Sequence, residues 1–253
     1  MPDILLQLQS GGRLKDYIRA FEVAERSGFN GVEIDTRSLG PDYDRFYLLS
    51  LEHGLPIRSL MAQSPVSFYL FDDASDQEAI QEIKPDVVAF KTPRAPFLRW
   101  PVEKIFTDQV GKYIENFGKS RIGVENAYER YSGILKPLFN VKGLRDFIYE
   151  HDVSAIFDVS DCAASGMDIL LSLDMLMPRI KNIHFSDYGG QSSRGHRFPG
   201  FGLLPLGTLL SRLKEYRYNG LITLEVDPGE LPIDDGEHVT LFGEIIRFIK
   251  SYF

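Results

Sequence analysis

Four side chains with metal-binding or proton-transfer chemistry each close an apolar, strand-like run. They are Glu125 in Ile122-Gly-Val-Glu125-Asn126, Asp158 in Ala155-Ile-Phe-Asp158, His184 in Asn182-Ile-His184-Phe-Ser-Asp187 and Glu225 in Ile222-Thr-Leu-Glu225. Three carboxylates and one imidazole brought face to face would repel and titrate abnormally unless a cation sat among them, and a divalent ion is the simplest such cation. Mostly oxygen ligands with one nitrogen suit Mn²⁺, Mg²⁺ or Co²⁺, and Zn²⁺ also accepts such a set, so the residue types leave the metal open. Taken singly, each residue is also what a helix cap or an ion pair at a strand end looks like. Four at the ends of consecutive strands favour one shared site.

A shared site needs elements that bring these positions together. The four are separated by 33, 26 and 41 residues, roughly the spacing of strand-helix units. In a (β/α)8 barrel the C-terminal strand ends converge on one mouth, so residues that far apart in sequence can meet there. The rest of the chain fits that plan, because short apolar runs alternate with segments of helical periodicity. The runs expected as strands are Asp3 to Leu8, Gly31 to Ile34, Pro56 to Ala62, Asp86 to Lys91, Arg121 to Asn126, Val153 to Asp158, Ile180 to Ser186 and Gly220 to Val226. Helices are expected over Leu14 to Ser27, Val102 to Phe117, Val141 to His151, Pro205 to Tyr216 and Glu237 to Tyr252, with only a short one from Asp72 to Ile83. Ser27-Gly-Phe-Asn-Gly31-Val-Glu33 and Tyr216-Arg-Tyr-Asn-Gly220-Leu-Ile-Thr-Leu-Glu225 echo each other. In both, an aromatic, an Asn and a Gly turn a helix into a strand, as a left-handed cap residue does. The glycine-rich stretch from Asp187 to Leu204 is expected to cross the barrel mouth.

Composition agrees with one α/β domain over residues 1–253. That length, with 43% hydrophobic residues, builds a closed core without staples. Cys162 is the single cysteine, which excludes an intrachain disulfide or a cysteine-rich zinc ribbon and points to a reducing, cytoplasmic setting. The opening MPDILLQLQSGG reads as a first strand rather than a signal peptide, and no apolar run reaches about 18 residues, so no membrane span is expected. A net charge of -8 argues against nucleic acid as a partner. The cluster from Lys91 through Arg94 to Arg99 is the notable positive exception, and a solvated loop explains it.

Other residues carry their own readings. Lys91 closes the fourth strand, where a lysine can form a Schiff base if desolvation lowers its pKa, or can clamp an anionic group. Glu33 ends the second strand, as a substrate contact or in an ion pair with Arg58 or Arg37. His196 sits in the mouth-crossing loop, within reach of metal or substrate. Asp187, three residues after His184, is placed to orient its imidazole. Gly200 and Gly202 form only GxG, too little for a dinucleotide fingerprint.

The same residues resemble a known family, the xylose isomerase-like TIM barrels, which include sugar isomerases, ketose 3-epimerases and endonuclease IV. The similarity covers most of the chain and is strongest from Arg121 to Asp227. It is carried by Gly28-Phe-Asn-Gly-Val-Glu33, Ile122-Gly-Val-Glu125-Asn126, Phe157-Asp158-Val-Ser-Asp-Cys-Ala-Ala-Ser-Gly166, Ile183-His184-Phe-Ser-Asp187, His196-Arg197-Phe-Pro-Gly200-Phe-Gly202 and Gly220-Leu-Ile-Thr-Leu-Glu225. The resemblance implies one metal held by Glu125, Asp158, His184 and Glu225, with the two glutamates moving a proton on a small carbohydrate through an enediolate. It implies Arg197 as a substrate contact, and it leaves room for a homo-oligomer. Asp161 departs from the pattern, since members commonly carry a His three residues after the sixth-strand Asp. Asp161 accepts hydrogen bonds there but presents no imidazole.

Isomerase or epimerase chemistry is therefore the leading expectation. A barrel that binds sugar or metal without turnover stays open, because fold does not imply function. Endonuclease IV-like cleavage needs three zinc ions and many histidines, and the chain has only His53, His151, His184, His196 and His238. His53 and His151 precede strands and belong to the far face.

Overall fold

A computed structural model of the chain describes residues 1–8, 14–39, 43–62, 74–95, 99–128, 136–190, 195–232 and 234–253. Eight strands make a barrel: β1 (Asp3–Leu8), β2 (Gly31–Asp35), β3 (Ile57–Ala62), β4 (Val87–Lys91), β5 (Ile122–Glu125), β6 (Ser154–Asp158), β7 (Ile180–Phe185) and β8 (Leu221–Leu224). Each pairs in parallel with the next, and β8 returns to β1 with Asp3 opposite Leu221 and Leu6 opposite Leu224, which closes the sheet. The (β/α)8 expectation is thus met.

Helices fill the connections: α1 (Leu14–Ser27), α2 (Thr36–Leu39), α3 (Tyr43–Glu52), α4 (Ala74–Ile83), α5 (Arg99–Phe117), α6 (Val141–His151), α7 (Val159–Ala164), α8 (Ile169–Leu176), α9 (Leu206–Glu215) and α10 (Asp235–Lys250). α6 shows why such segments are helical. The Asn140 side chain accepts the Gly143 N–H at its start, Val141, Leu144 and Ile148 form one buried face, and Asp152 ends it in the left-handed region at φ 53°, which together satisfy both termini and the core. Asp72 and Asp73, expected to begin α4, lie outside the described residues. Pro56, Asp86, Arg121, Val153 and Gly220 stay outside the strands expected to hold them. For Val153 the reason is that its N–H closes α6 on the Ile148 carbonyl.

The echoed turns work differently from the expectation. The left-handed residues are Gly28 (φ 86°) and Arg217 (φ 54°), not the Asn or second Gly. Gly31 and Gly220 are needed for space instead, since a Cβ would stand 2.5 Å from the Pro56 carbonyl oxygen in one and 2.7 Å from that of Lys181 in the other.

Strand side chains alternate between the two faces of the sheet, and the alternation grades the barrel interior from apolar to charged. Ile4, Leu6, Ile34, Val88, Phe90, Val124, Phe157, Ile183, Phe185 and Leu224 face the helices in the main core. Inside, Leu5, Val87, Ala89, Ile156 and Leu221 form a separate apolar floor. Above it lie Gln7, Glu33, Ser59, Asn182 and Thr223, linked by hydrogen bonds. Lys91, Glu125, Asp158, His184 and Glu225 come last, at the C-terminal ends. Beside this mouth Arg94–Ala95 and Lys136–Pro137 pair as a small antiparallel sheet, tying the connections after β4 and β5 together.

The floor is tightly filled at Gly123, where a Cβ would meet Ile156 Cδ1 at 2.7 Å. Gly123→Ala is expected to lower unfolding stability by about 1–3 kcal/mol, the usual range for overpacking. Adding Ile156→Val should return part of that loss in a chemical denaturation experiment. Equal stability of wild type and the single variant would show that the floor has slack.

Candidate metal centre

The barrel brings all four expected residues to one point. Glu125, Asp158 and His184 are fully buried, and Glu225, just past β8, keeps 14% of its side-chain surface. His184 Nδ1 lies 2.8 Å from Glu225 Oε2 and 3.8 Å from Glu125 Oε2. Backbone hydrogen bonds fix the strand ends that carry them. The Glu125 carbonyl accepts both the N–H and the hydroxyl of Thr92, and the Asn126 side-chain amide bonds the N–H and carbonyl of Asp158. One oxygen of Asp158 is occupied at the start of α7, where Oδ1 accepts the Asp161 N–H at 2.9 Å.

What remains is a set of buried atoms without hydrogen-bond partners. Both carboxylate oxygens of Glu125, Asp158 Oδ2, His184 Nδ1 and Glu225 Oε2 are in that condition, although Lys91 and His184 approach them by charge. Each of the four residues contributes at least one. Buried polar atoms without hydrogen bonds are costly inside a protein, and a divalent ion would serve them together. Ligand atoms of Glu125, Asp158 and His184 lie within 4.8 Å of one another, as do those of Asp158, His196 and Glu225. The residues present therefore fit a divalent metal. His196 joins from the loop after β7, with Nε2 3.6 Å from Glu225 Oε1 and 3.9 Å from Asp158 Oδ2. Ser160 and Ser186 hold its other nitrogen at 3.0 and 3.3 Å.

Proton affinities report the same crowding. Burial, reinforced by neighbouring carboxylates against the pull of Lys91, pushes Glu125 up to about 7. Burial and Asp161 push Asp158 up to about 6. Burial disfavours charge on His184, but Glu33 and Glu125 outweigh it and hold its pKa well above the usual histidine value. Burial acts against ionisation of Glu225 as well, yet His196 and His184 keep it below the ordinary carboxylate range. Glu125 and Asp158 are thus driven up by burial and neighbouring acids while Glu225 is held down by the two imidazoles, the pattern of closely packed buried charges.

The profile of the xylose isomerase-like TIM barrel matches residues 21–252. The chain belongs to that family. No protein of curated function matches the sequence. Among solved structures, the 3-keto-D-glucoside 4-epimerase of E. coli is similar with a TM-score of 0.73 and 16% identity, over 99% of this chain and 100% of that one. The D-allulose 3-epimerase of Methylomonas sp., in complex with D-allulose, has a TM-score of 0.73 and 15% identity, over 100% of this chain and 97% of that one. The IolI protein with a bound zinc atom has a TM-score of 0.73 and 17% identity, over 99% of this chain and 99% of that one. At these identities the likeness establishes the shared fold.

Within this xylose isomerase-like barrel, two neighbours of the site depart from expectation. The imidazole of His184 is oriented by Glu33, not Asp187. Glu33 is fully buried, its oxygens lie 3.1 and 3.2 Å from His184 Nε2, and Gln7, Ser59 and Asn182 donate to it. That contact takes up Nε2 and leaves Nδ1 for a ligand role, the arrangement common among metal-binding histidines. The ion pairs considered for Glu33 are not formed: Arg58 holds Asp3 and Asp86, and Arg37 holds Asp35. Asp187 instead builds the loop. Its carboxylate accepts the backbone N–H groups of Tyr188, Gly200, Gly202 and Leu204 at 2.8 to 3.0 Å, and a Cβ on Gly202 would collide with it.

The remaining candidates are placed as follows. Lys91 Nζ lies 2.9 Å from Glu125 Oε1 and 2.8 Å from Asp161 Oδ2, so nearby acids retain the proton that a Schiff-base amine must lose. The guanidinium of Arg197 is held by Glu230 at 3.1 Å. Cys162 is buried and its thiol is pushed up to about 12 by burial, which makes it inert. His53 pairs with Glu25, His151 packs on Phe147, and His238 bonds the Pro232 carbonyl.

Asp187→Ala should speed amide hydrogen exchange at Gly200, Gly202 and Leu204 at least about tenfold, since these part-buried N–H groups lose their acceptor. Exchange in β1 to β6 should stay as in wild type. Unchanged exchange at the three loop amides would show that something else holds the loop.

Proposed function

We propose that the chain is a divalent-metal-dependent isomerase or epimerase of sugars or sugar phosphates, acting as one domain, with Glu125 and Glu225 as its proton carriers. The observation that carries this reading is the convergence of buried atoms without hydrogen bonds from Glu125, Asp158, His184 and Glu225 at the barrel mouth. Epimerases among the structural neighbours, one with D-allulose bound and one protein with zinc bound, support it.

A divalent ion held by Glu125, Asp158, His184 and Glu225 would supply Lewis-acid polarisation of a ketose carbonyl. Glu125 and Glu225 both approach the His184 imidazole, from β5 and from the end of β8. One carboxylate takes the proton from the carbon beside the carbonyl, and the C–H electron pair becomes the double bond of an enediolate. The other returns a proton to the opposite face, or to the neighbouring carbon, to complete epimerisation or isomerisation. Asp158 and His184 serve as ligands, with Glu33 fixing the imidazole. His196, Arg197, Asp161 and Lys91 border the mouth, where they would meet sugar hydroxyls or a phosphate.

The test is a panel of ketoses and ketose phosphates in D₂O with the Mn²⁺- or Co²⁺-loaded protein. Wild type is expected to place deuterium beside the carbonyl of at least one substrate. Glu125→Gln and Glu225→Gln, compared at matched metal content, should each slow that exchange by about 10²- to 10⁴-fold. Unchanged exchange in both variants contradicts their roles. A loaded protein that binds sugars and exchanges none would be a binding barrel.

A further inference from the structure

Lys91 closes β4 directly opposite Glu125 of β5. Its nitrogen stands 2.9 Å from Glu125 Oε1, 3.8 Å from Asp158 Oδ2 and 2.8 Å from Asp161 Oδ2. The first two carboxylates belong to the set that fits a divalent ion, while the third occupies the place where the family pattern puts an imidazole. The Lys91 side chain keeps 40% of its surface, so it borders the open mouth. Asp161 is anchored, because Oδ2 accepts the Tyr128 N–H at 3.1 Å and its own N–H donates to Asp158.

An ammonium and a divalent ion on the same buried carboxylate would stand a few ångströms apart and repel strongly, since little water screens them. Without either, the carboxylates of Glu125, Asp158, Asp161 and Glu225 would face one another with only imidazoles to offset them, a costly arrangement in a buried site. We propose that Lys91 is the cation of the metal-free barrel: its ammonium holds Glu125 until a divalent ion displaces it, and it then remains on Asp161. This rests on the metal-centre reading above. It accounts for Lys91 and Asp161 together, because an imidazole at position 161 could add a ligand but could not keep a displaced ammonium.

Two consequences separate this role from a merely structural ion pair. The divalent ion must compete with an internal charge, so removing that charge tightens metal binding. The metal-free protein loses its compensating cation, so it becomes more dependent on the ion for stability.

The experiment measures Mn²⁺ and Zn²⁺ dissociation constants by chelator competition, and the metal-induced rise in Tm, for wild type, Lys91→Met and Lys91→Gln. Both variants are expected to bind the ion at least about tenfold more tightly and to show a larger rise in Tm than wild type. Equal or weaker binding in both overturns the proposal. A second readout uses wild type alone, so it does not depend on a variant folding without metal. Acylation of Lys91 by an amine-reactive ester, followed by mass spectrometry, should quicken at saturating Zn²⁺ relative to chelator-treated protein, and a rate indifferent to the metal overturns the proposal too. Wild type that binds no ion would sink the metal-centre reading itself, whereas wild type and both variants binding it equally would sink only the role of Lys91.

Discussion

The mouth of this barrel is shaped by a concentration of negative charge in a place with little water. Glu33, Glu125, Asp158, Asp161 and Glu225 converge on His184, His196 and Lys91 at one end of the barrel, and among these acids only Asp161 and Glu225 keep any notable contact with solvent. Repulsion among such groups is large when screening is weak. The barrel tolerates it partly because backbone at the site is pinned: Glu125 through Thr92, Asp158 through Asn126, and the loop carrying His196 through the four amides gathered by Asp187. The side chains are thereby held pointing inward, with their free atoms together.

The layering inside the barrel makes this affordable in structural terms. Strand alternation sends apolar residues outward to the helices and grades the inside from an apolar floor, through a layer of neutral amides and hydroxyls around Glu33, to the charged mouth. The middle layer matters most for the site. It converts Glu33, an acid with no route to solvent, into a fixed acceptor for His184 Nε2, and so decides which imidazole nitrogen faces the other ligands.

Much of this was legible in the sequence, for a definite reason. A residue that closes an apolar strand in a parallel barrel has its position set by the backbone alone, so Glu125, Asp158, His184 and Glu225 could be placed together from strand order and spacing. The partners around them could not. Glu33 and His184 are 151 residues apart and on strands that are not neighbours, and they meet only because both face inward across the barrel. Asp187 looked like the orienting group because it lies three residues from His184, but an odd separation along an extended chain puts two side chains on opposite faces. Lys91 read as part of a positive cluster with Arg94 and Arg99, and as a Schiff-base or anion-clamp candidate, because its acids come from β5 and from the start of α7, contacts that no local pattern announces. The left-handed turn at Arg217 was hidden for another reason, since an arginine there carries no sign of the conformation that Gly28 makes obvious at the equivalent point.

The proposed centre is one ion bound by four residues. Anomalous diffraction from crystals grown with Mn²⁺ or Zn²⁺ tests that most directly. It should show a single strong peak at the barrel mouth, about 2.0–2.2 Å from oxygen or nitrogen ligands supplied by Glu125, Asp158, His184 and Glu225. A fully loaded crystal with no peak there, or with the ion held by other residues, would contradict it.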